Sequence, residues 1–260
     1  LRVGLFDSGI GGLTILNTIV KNMKNIEFFY IADTLFAPYG EKDTKEILKR
    51  CDDITNYLIN EHKIDILVVA CNTATSISIN YLRDKYKSLP IIGVEPALKP
   101  AIEYSKTKNI AILATPSTIN GSKYKELVEK LSNNQKLNLY HIACSGLAKK
   151  IEEADIEENS LNLFLKNYLE ELKDKNIDSV VLGCTHYPII KNSIKSFFEN
   201  GTKLYDSADA IAKRLKEITK DKIQSEKEQR VTILYSSKIN FDMVNIILKD
   251  CKYDLRECKI

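Results

Sequence analysis

Two cysteines stand where their chemistry can matter. Ala70-Cys71-Asn72-Thr73 and Gly183-Cys184-Thr185-His186 each close an apolar run and open onto a polar turn. A free thiol has a pKa of about 8.5, and a helix N-terminus favours the thiolate. Two such groups on opposite faces of one carbon can take a proton from one side and return one from the other, inverting the stereocentre. Either cysteine alone reads more simply as a small buried hydrophobe. The pair, in matching polar loops, favours acid–base work. His186 follows Cys184 by two residues and can raise its thiolate fraction or share its proton. Asp7, in Asp7-Ser8-Gly9-Ile10-Gly11-Gly12, can orient or deprotonate a neighbour, or cap a helix, and its glycines can permit a tight turn. Ser8, Asn72, Thr73, Thr118 and Thr185 are hydroxyl or amide residues at strand ends. With nearby backbone N–H groups they can bind carboxylates, cap helices, or do both.

Several other chemistries fail on spacing. A cysteine phosphatase needs Cys-x5-Arg, but Ile77 and Ile190 stand at those positions. Gly9-Ile10-Gly11-Gly12 is not a dinucleotide fingerprint, and no P-loop lysine follows it. The six cysteines contain no C-x-x-C pair, so neither a zinc ribbon nor a thioredoxin-type motif is supported. Cys71, Cys184 and His186 could ligate zinc by type but lack paired-ligand spacing, and no metal is expected. No lysine stands out as a Schiff-base anchor for pyridoxal phosphate.

The elements that must hold these residues are legible as an alternation. Strands are predicted over 2–6, 27–31, 65–70, 109–114, 137–142, 179–182 and 231–235. Amphipathic helices are predicted between them, as at 44–60, 117–131 and 160–173. Runs such as Ile66-Leu67-Val68-Val69-Ala70 are continuous, which suits strands covered on both faces. The class is therefore α/β with mostly parallel sheets, and ligands in such folds sit beyond the carboxyl ends of the strands. The candidate residues cluster at those ends. The two cysteine loops predict two similar lobes facing one another. Pro96 and Pro100 mark the crossing to the second lobe and Leu204-Tyr205-Asp206-Ser207 the return. The expected division is 1–96 with 206–260, and 97–205.

Composition narrows the partners. Lys+Arg 38 against Asp+Glu 35 is too even for the concentrated basic face of a nucleic-acid binder. No apolar run approaches the roughly 18 residues of a membrane span. Leu1 to Asp7 pass straight into a strand-like segment, so no secretory leader is expected. A reducing, cytoplasmic setting with free thiols follows as the expectation.

The chain resembles the glutamate racemases, cofactor-independent members of the aspartate/glutamate racemase family. The resemblance rests on Phe6-Asp7-Ser8-Gly9-Ile10-Gly11-Gly12-Leu13, Asp33-Thr34 with Pro38-Tyr39-Gly40, and Ala70-Cys71-Asn72-Thr73-Ala74-Thr75. It continues through Gly93-Val94-Glu95-Pro96, Ala114-Thr115, Thr118-Ile119, Tyr124, Leu182-Gly183-Cys184-Thr185-His186-Tyr187-Pro188 and Asp206-Ser207. These blocks run in order from residue 3 to about 208. The resemblance implies two pseudo-symmetric α/β lobes with the active site between them, Cys71 and Cys184 as the two acid–bases, and Asp7, His186 and Glu152 assisting. It implies substrate contacts from Ser8, Pro38, Tyr39, Gly40, Asn72, Thr73, Thr115, Thr118 and Thr185, with no cofactor and a homodimeric assembly. The implied reaction interconverts L- and D-glutamate for peptidoglycan synthesis. Aspartate racemases are the nearest rival; they typically carry histidine after the first motif's alanine and glutamate in place of the second motif's histidine, so Thr75 and His186 favour glutamate. A non-catalytic two-lobed amino-acid binder and a metal-dependent hydrolase are the further alternatives. The chain departs from the family pattern at Phe36, Gly121 and Ser145, where arginine, serine and proline are usual.

Overall fold

A computed structural model describes residues 1–133, 136–199, 201–220, 222 and 228–260. Ten strands are described: β1 Arg2–Asp7, β2 Glu27–Ala32, β3 Ile66–Val69, β4 Ile91–Gly93, β5 Asn109–Ala114, β6 Asn138–Ala143, β7 Ser179–Gly183, β8 Lys203–Tyr205, β9 Arg230–Tyr235 and β10 Asp254–Glu257. They form one sheet in the order β10-β9-β2-β1-β3-β4 and another in the order β6-β5-β7-β8. Every pairing is parallel.

The continuous apolar runs have the predicted cause. Along β1, β2 and β3, Val3, Leu5, Phe28, Tyr30, Ile66 and Val68 pack into one core. Their alternate neighbours Phe6, Phe29, Ile31, Leu67 and Val69 pack into another on the opposite face. The second sheet repeats this, with Leu113, Val180 and Leu182 on one face and Ile110, Ile112 and Val181 on the other. Helices cover all four faces, which is why nearly every residue of the central strands is buried.

The order β2-β1-β3-β4 reappears as β6-β5-β7-β8. In this correspondence β1 matches β5 and β3 matches β7, so the pseudo-symmetry is topological. Cys71 follows β3 and Cys184 follows β7, which makes the two thiols equivalent in the repeat. The first sheet is extended by β9 and β10, drawn from the chain after residue 208. The helix Ala208–Thr219 also returns to that sheet, with Ile211, Ala212 and Leu215 in its core.

Three strands lie outside the sequence prediction. β4 and β8 span three residues each and offer too little pattern to detect. β10 reads Asp-Leu-Arg-Glu, a charged and largely exposed edge, as edge strands commonly are. Two predicted helices are also broken. Gly121 adopts extended backbone (φ −67°, ψ 143°) between the helices Pro116–Asn120 and Ser122–Ser132. The third predicted segment is helical over Glu158–Leu169 and then tightens into a 3-10 stretch, Glu170–Lys175.

Candidate active site

The carboxyl ends of both sheets meet, and the hydrogen bonds crossing between them define the site. Thr185 Oγ1, after β7, donates to Asp7 Oδ2 at 3.2 Å, at the end of β1. Thr14 Oγ1 donates to the Thr185 carbonyl at 3.3 Å. Thr73 and Thr115 hydroxyls lie 3.0 Å apart, and Thr115 and Thr118 hydroxyls likewise. Ser117 Oγ donates to the Gly40 carbonyl at 2.7 Å. The backbone N–H of Ile10 donates to Glu152 Oε2 at 2.9 Å.

Cys71 ends β3 and caps the helix Asn72–Lys85, its sulfur accepting from the Ala74 N–H at 3.4 Å. Its thiol also lies 3.9 Å from Ser8 Oγ. The helix end does pull this thiol toward the thiolate, through the Ala74 N–H. Burial, followed by the Asp7 charge, outweighs the Ala74 hydrogen bond and pushes the thiol well above its ordinary value. Cys184 also contributes to that upward push.

Cys184 has a different setting. No long helix follows it; the 3-10 turn Tyr187–Ile190 runs into a five-residue helix, Lys191–Lys195. Its polar neighbour is His186, with Nδ1 3.7 Å from the sulfur and Nε2 2.6 Å from Glu152 Oε2. Burial alone would lower the His186 pKa. The hydrogen bonds and charges of Cys184 and Glu152 overcome it and push the imidazole well above its usual value, favouring its charged form between those two groups. Glu152 ends the helix Leu147–Glu152 and makes this contact, while Glu153 is exposed.

Asp7 is fully buried. Burial raises its pKa above the ordinary carboxylate value, against the pull of His186 and of the Gly12 N–H. Oδ2 accepts from that N–H at 2.7 Å. Oδ1 is buried without a partner, and so is Asn72 Oδ1. A buried acceptor left unpaired is costly, so two such acceptors beside the thiols mark where a ligand's donors fit. Asn72, Cys184 and Thr185 line one narrow cavity of about 10 Å³, closed around them together with Asp206 and Ser207. Among the described residues, no group of three His, Cys, Asp or Glu side chains is placed to hold a metal ion.

The glycines of the first loop are not there for turn geometry. Among the described residues, Gly146 and Gly201 are the glycines with positive φ, and Gly12 is helical at φ −65°. What Gly9 and Gly11 permit is close approach. A Cβ on Gly9 would collide with the Glu152 carboxylate. One on Gly11 would lie 2.5 Å from Thr185 Oγ1 and 2.6 Å from His186 Nδ1. Gly121, where serine is usual, has its side-chain space filled by Ser76. Phe36, where arginine is usual, lies under the Arg50 guanidinium at 4.5 Å.

Of Pro38, Tyr39 and Gly40, the last approaches Thr115, a Cβ on Gly40 falling 3.1 Å from Thr115 Cβ. The Tyr39 hydroxyl is turned away and donates to Asp33 Oδ2 at 2.6 Å. Asp33 also forms a two-pronged buried pair with Arg50, at 2.6 and 2.9 Å, and accepts from Ser236. That network anchors the Tyr39 loop to the helix Thr44–His62 and to the end of β9. Sequence reasoning missed Arg50 and Ser236, because nothing in a lone arginine on a helix or a serine after a strand announces a shared carboxylate. It also missed Ile10, which acts through its backbone and carries no signal of residue type.

Two parallel sheets in one strand order, with a thiol at the equivalent end of each, define an α/β protein built around a paired-cysteine cleft. The chain belongs to the Asp/Glu/Hydantoin racemase family, whose model matches residues 17–215. It is 50% identical over 261 residues, covering 100% of both chains, to the glutamate racemase of Aliarcobacter butzleri. Its fold matches the glutamate racemase of Escherichia coli, solved in complex with L-glutamate and the activator UDP-MurNAc-ala (TM-score 0.85, 27% identity, 98% of this chain and 97% of that one). It also matches the glutamate racemase of Francisella tularensis in complex with D-glutamate (TM-score 0.83, 29% identity, 99% and 97% covered).

Proposed function

We propose that this protein is a cofactor-independent glutamate racemase in which Cys71 and Cys184 work on opposite faces of the α-carbon. The observation that carries this reading is their placement at equivalent strand ends of two facing sheets. In one direction the Cys184 thiolate, paired with the His186 cation, takes the α-proton, and the protonated Cys71 thiol delivers one from the other face. The reverse reaction exchanges the roles. The substrate's ammonium group meets the unpartnered Asp7 Oδ1 and Asn72 Oδ1. Its carboxylates meet Ser8, the Thr73–Thr115–Thr118 hydroxyl chain, Thr185 and the N–H groups that open the helices. Pro38, Tyr39 and Gly40 close the site by backbone and ring contact. Asp7 assists Cys71, and His186 and Glu152 assist Cys184.

An amino-acid α-proton is far less acidic than a thiol, so the site must stabilise developing carbanion charge with preorganised donors in a dry space. Movement of two lobes, 1–96 with 206–260 against 97–205, admits substrate and expels water. The protein acts in the cytoplasm as a homodimer and supplies D-glutamate for peptidoglycan. Among the described residues, no helix is long and apolar enough to cross a membrane.

The test is purified protein with L-glutamate in D2O and no added cofactor. The product expected is D-glutamate carrying deuterium at Cα. Deuterium-free product, or no turnover, overturns the reading, and faster turnover of aspartate in a parallel assay reassigns the substrate.

A further inference from the structure

Tyr30 lies in β2, fully buried in the core with Leu5, Ile10 and Leu13. For packing alone phenylalanine would serve, and a buried phenol needs a partner. The Tyr30 hydroxyl donates to the Gly9 carbonyl at 2.7 Å. A Cβ on Gly12 would lie 2.7 Å from the same oxygen, so the hydroxyl sits inside the loop that joins Asp7 to Gly12. Burial, with the charges of Asp7, Glu152 and Cys71, keeps the phenol protonated and therefore a donor.

The Gly9 carbonyl and the Ile10 N–H belong to one peptide group. In a planar trans peptide they point in opposite directions. Holding the carbonyl toward Tyr30 therefore aims the N–H away from it, at Glu152, which receives it at 2.9 Å. Glu152 in turn holds His186, and His186 faces Cys184. The residue before this peptide, Ser8, is the hydroxyl beside Cys71. One buried phenol thus sits beneath a peptide that leads to both sulfurs.

We propose that Tyr30 is a positioning residue for racemisation, its hydroxyl fixing the Gly9–Ile10 peptide so that Ile10 meets Glu152 and Ser8 meets Cys71. It touches neither sulfur nor substrate. The inference rests on the racemase reading for its kinetic consequence, but its geometry can be tested without substrate.

The experiment compares wild type, Tyr30→Phe, Glu152→Gln and the double variant as full-length proteins. Amide hydrogen exchange without substrate is expected to quicken at Ile10 at least tenfold in Tyr30→Phe, while the amides of β5 and β7 keep their protection. With glutamate, kcat is expected to fall about tenfold with KM changed less than threefold. In the Glu152→Gln background the same substitution is expected to cost less than it does in wild type, because the Ile10 contact is shared, while the Ser8–Cys71 arm keeps part of the loss. Unchanged exchange at Ile10, or an equal kinetic loss in both backgrounds, overturns the proposal. A wild-type protein that leaves glutamate unchanged overturns the racemase reading instead, and the Ile10 exchange result still decides whether Tyr30 fixes the peptide.

Discussion

The surroundings of Cys71 and Cys184 differ more than the strands that carry them. β3 and β7 occupy the same place in the same strand order, and each ends in a buried thiol. Around Cys71 lie the start of a fourteen-residue helix, a serine hydroxyl and the anion Asp7. Around Cys184 lie a 3-10 turn that continues into a five-residue helix and the imidazole of His186, backed by Glu152. The repeat therefore delivers two sulfurs to unlike settings: burial and a nearby anion push the Cys71 thiol up, while Cys184 faces the His186 imidazole. An asymmetry of this kind is what the proposed pair would use, one sulfur giving a proton as the other takes one.

Removing either sulfur is the most severe way to break the pairing. Cys71→Ser and Cys184→Ser are each expected to lower kcat/KM by about 10³-fold or more, in keeping with the loss of a positioned acid–base group. Circular dichroism should stay native, since serine is nearly isosteric. A Cys184→Ser protein with full activity would remove the two-base assignment. Gly11→Ala tests whether the two regions must touch. Its methyl group would lie 2.5 Å from Thr185 Oγ1 and 2.6 Å from His186 Nδ1. A displacement of about 1 Å at a reacting centre can cost roughly 10²-fold, and that loss is expected in kcat/KM. The clash falls in a buried loop whose neighbours Ile10 and Leu13 belong to the first core, so a stability loss of about 1–3 kcal/mol is expected beside it. Wild-type kinetics in Gly11→Ala would show that the first loop need not approach the second sheet.

These contacts also show where sequence reading succeeded and where it stopped. The α/β class, the parallel sheets and the cysteine loops were legible because continuous apolar runs and strand-end polar clusters are local patterns. That Asp7, Cys71, Cys184 and His186 share one region was legible from residue type and position, and Glu152 joins them by resemblance. Tyr30 was not, because a tyrosine within a buried strand reads as packing. Gly9 and Gly11 read in the sequence as residues of a tight turn, and only the facing loop shows that they make room for Glu152, Thr185 and His186. Arg50 and Ser236 meet Asp33 across 17 and 203 residues of chain, a separation at which one sequence holds no pairing signal.

The Cys184 side can be sharpened by Glu152→Gln. A hydrogen bond to a charged group contributes about 1.5–3 kcal/mol, or roughly 10- to 10²-fold in rate. A loss in that range is expected in kcat. The pH profile is the more telling readout. Glu152 is one of the groups that hold His186 cationic, so glutamine should let the imidazolium deprotonate at lower pH. The alkaline limb of kcat/KM is expected to move downward in pH. An unmoved limb would mean that some other group sets it.

The smallest effect is expected on the Cys71 side, from Asp7→Asn, and in stability its sign is opposite to the loss of activity. Burial raises the Asp7 pKa in the folded protein. Between the unfolded value of about 3.9 and that raised value, the folded chain binds more proton than the unfolded one. Stability from this group is therefore present at acid pH and is lost as pH rises through the folded pKa. At neutral pH the buried charge is a standing cost. Asparagine keeps an oxygen for the Gly12 N–H and the Thr185 hydroxyl and carries no charge. Asp7→Asn is expected to raise Tm at neutral pH by roughly 2–4 °C, about 1 kcal/mol. The gain should shrink as the pH is lowered toward 4, while racemisation falls at every pH. A lower Tm at neutral pH would mean that the carboxylate is stabilised by its donors and by His186 more than burial penalises it. The Cys71 side would then match the Cys184 side in holding a fully compensated acid.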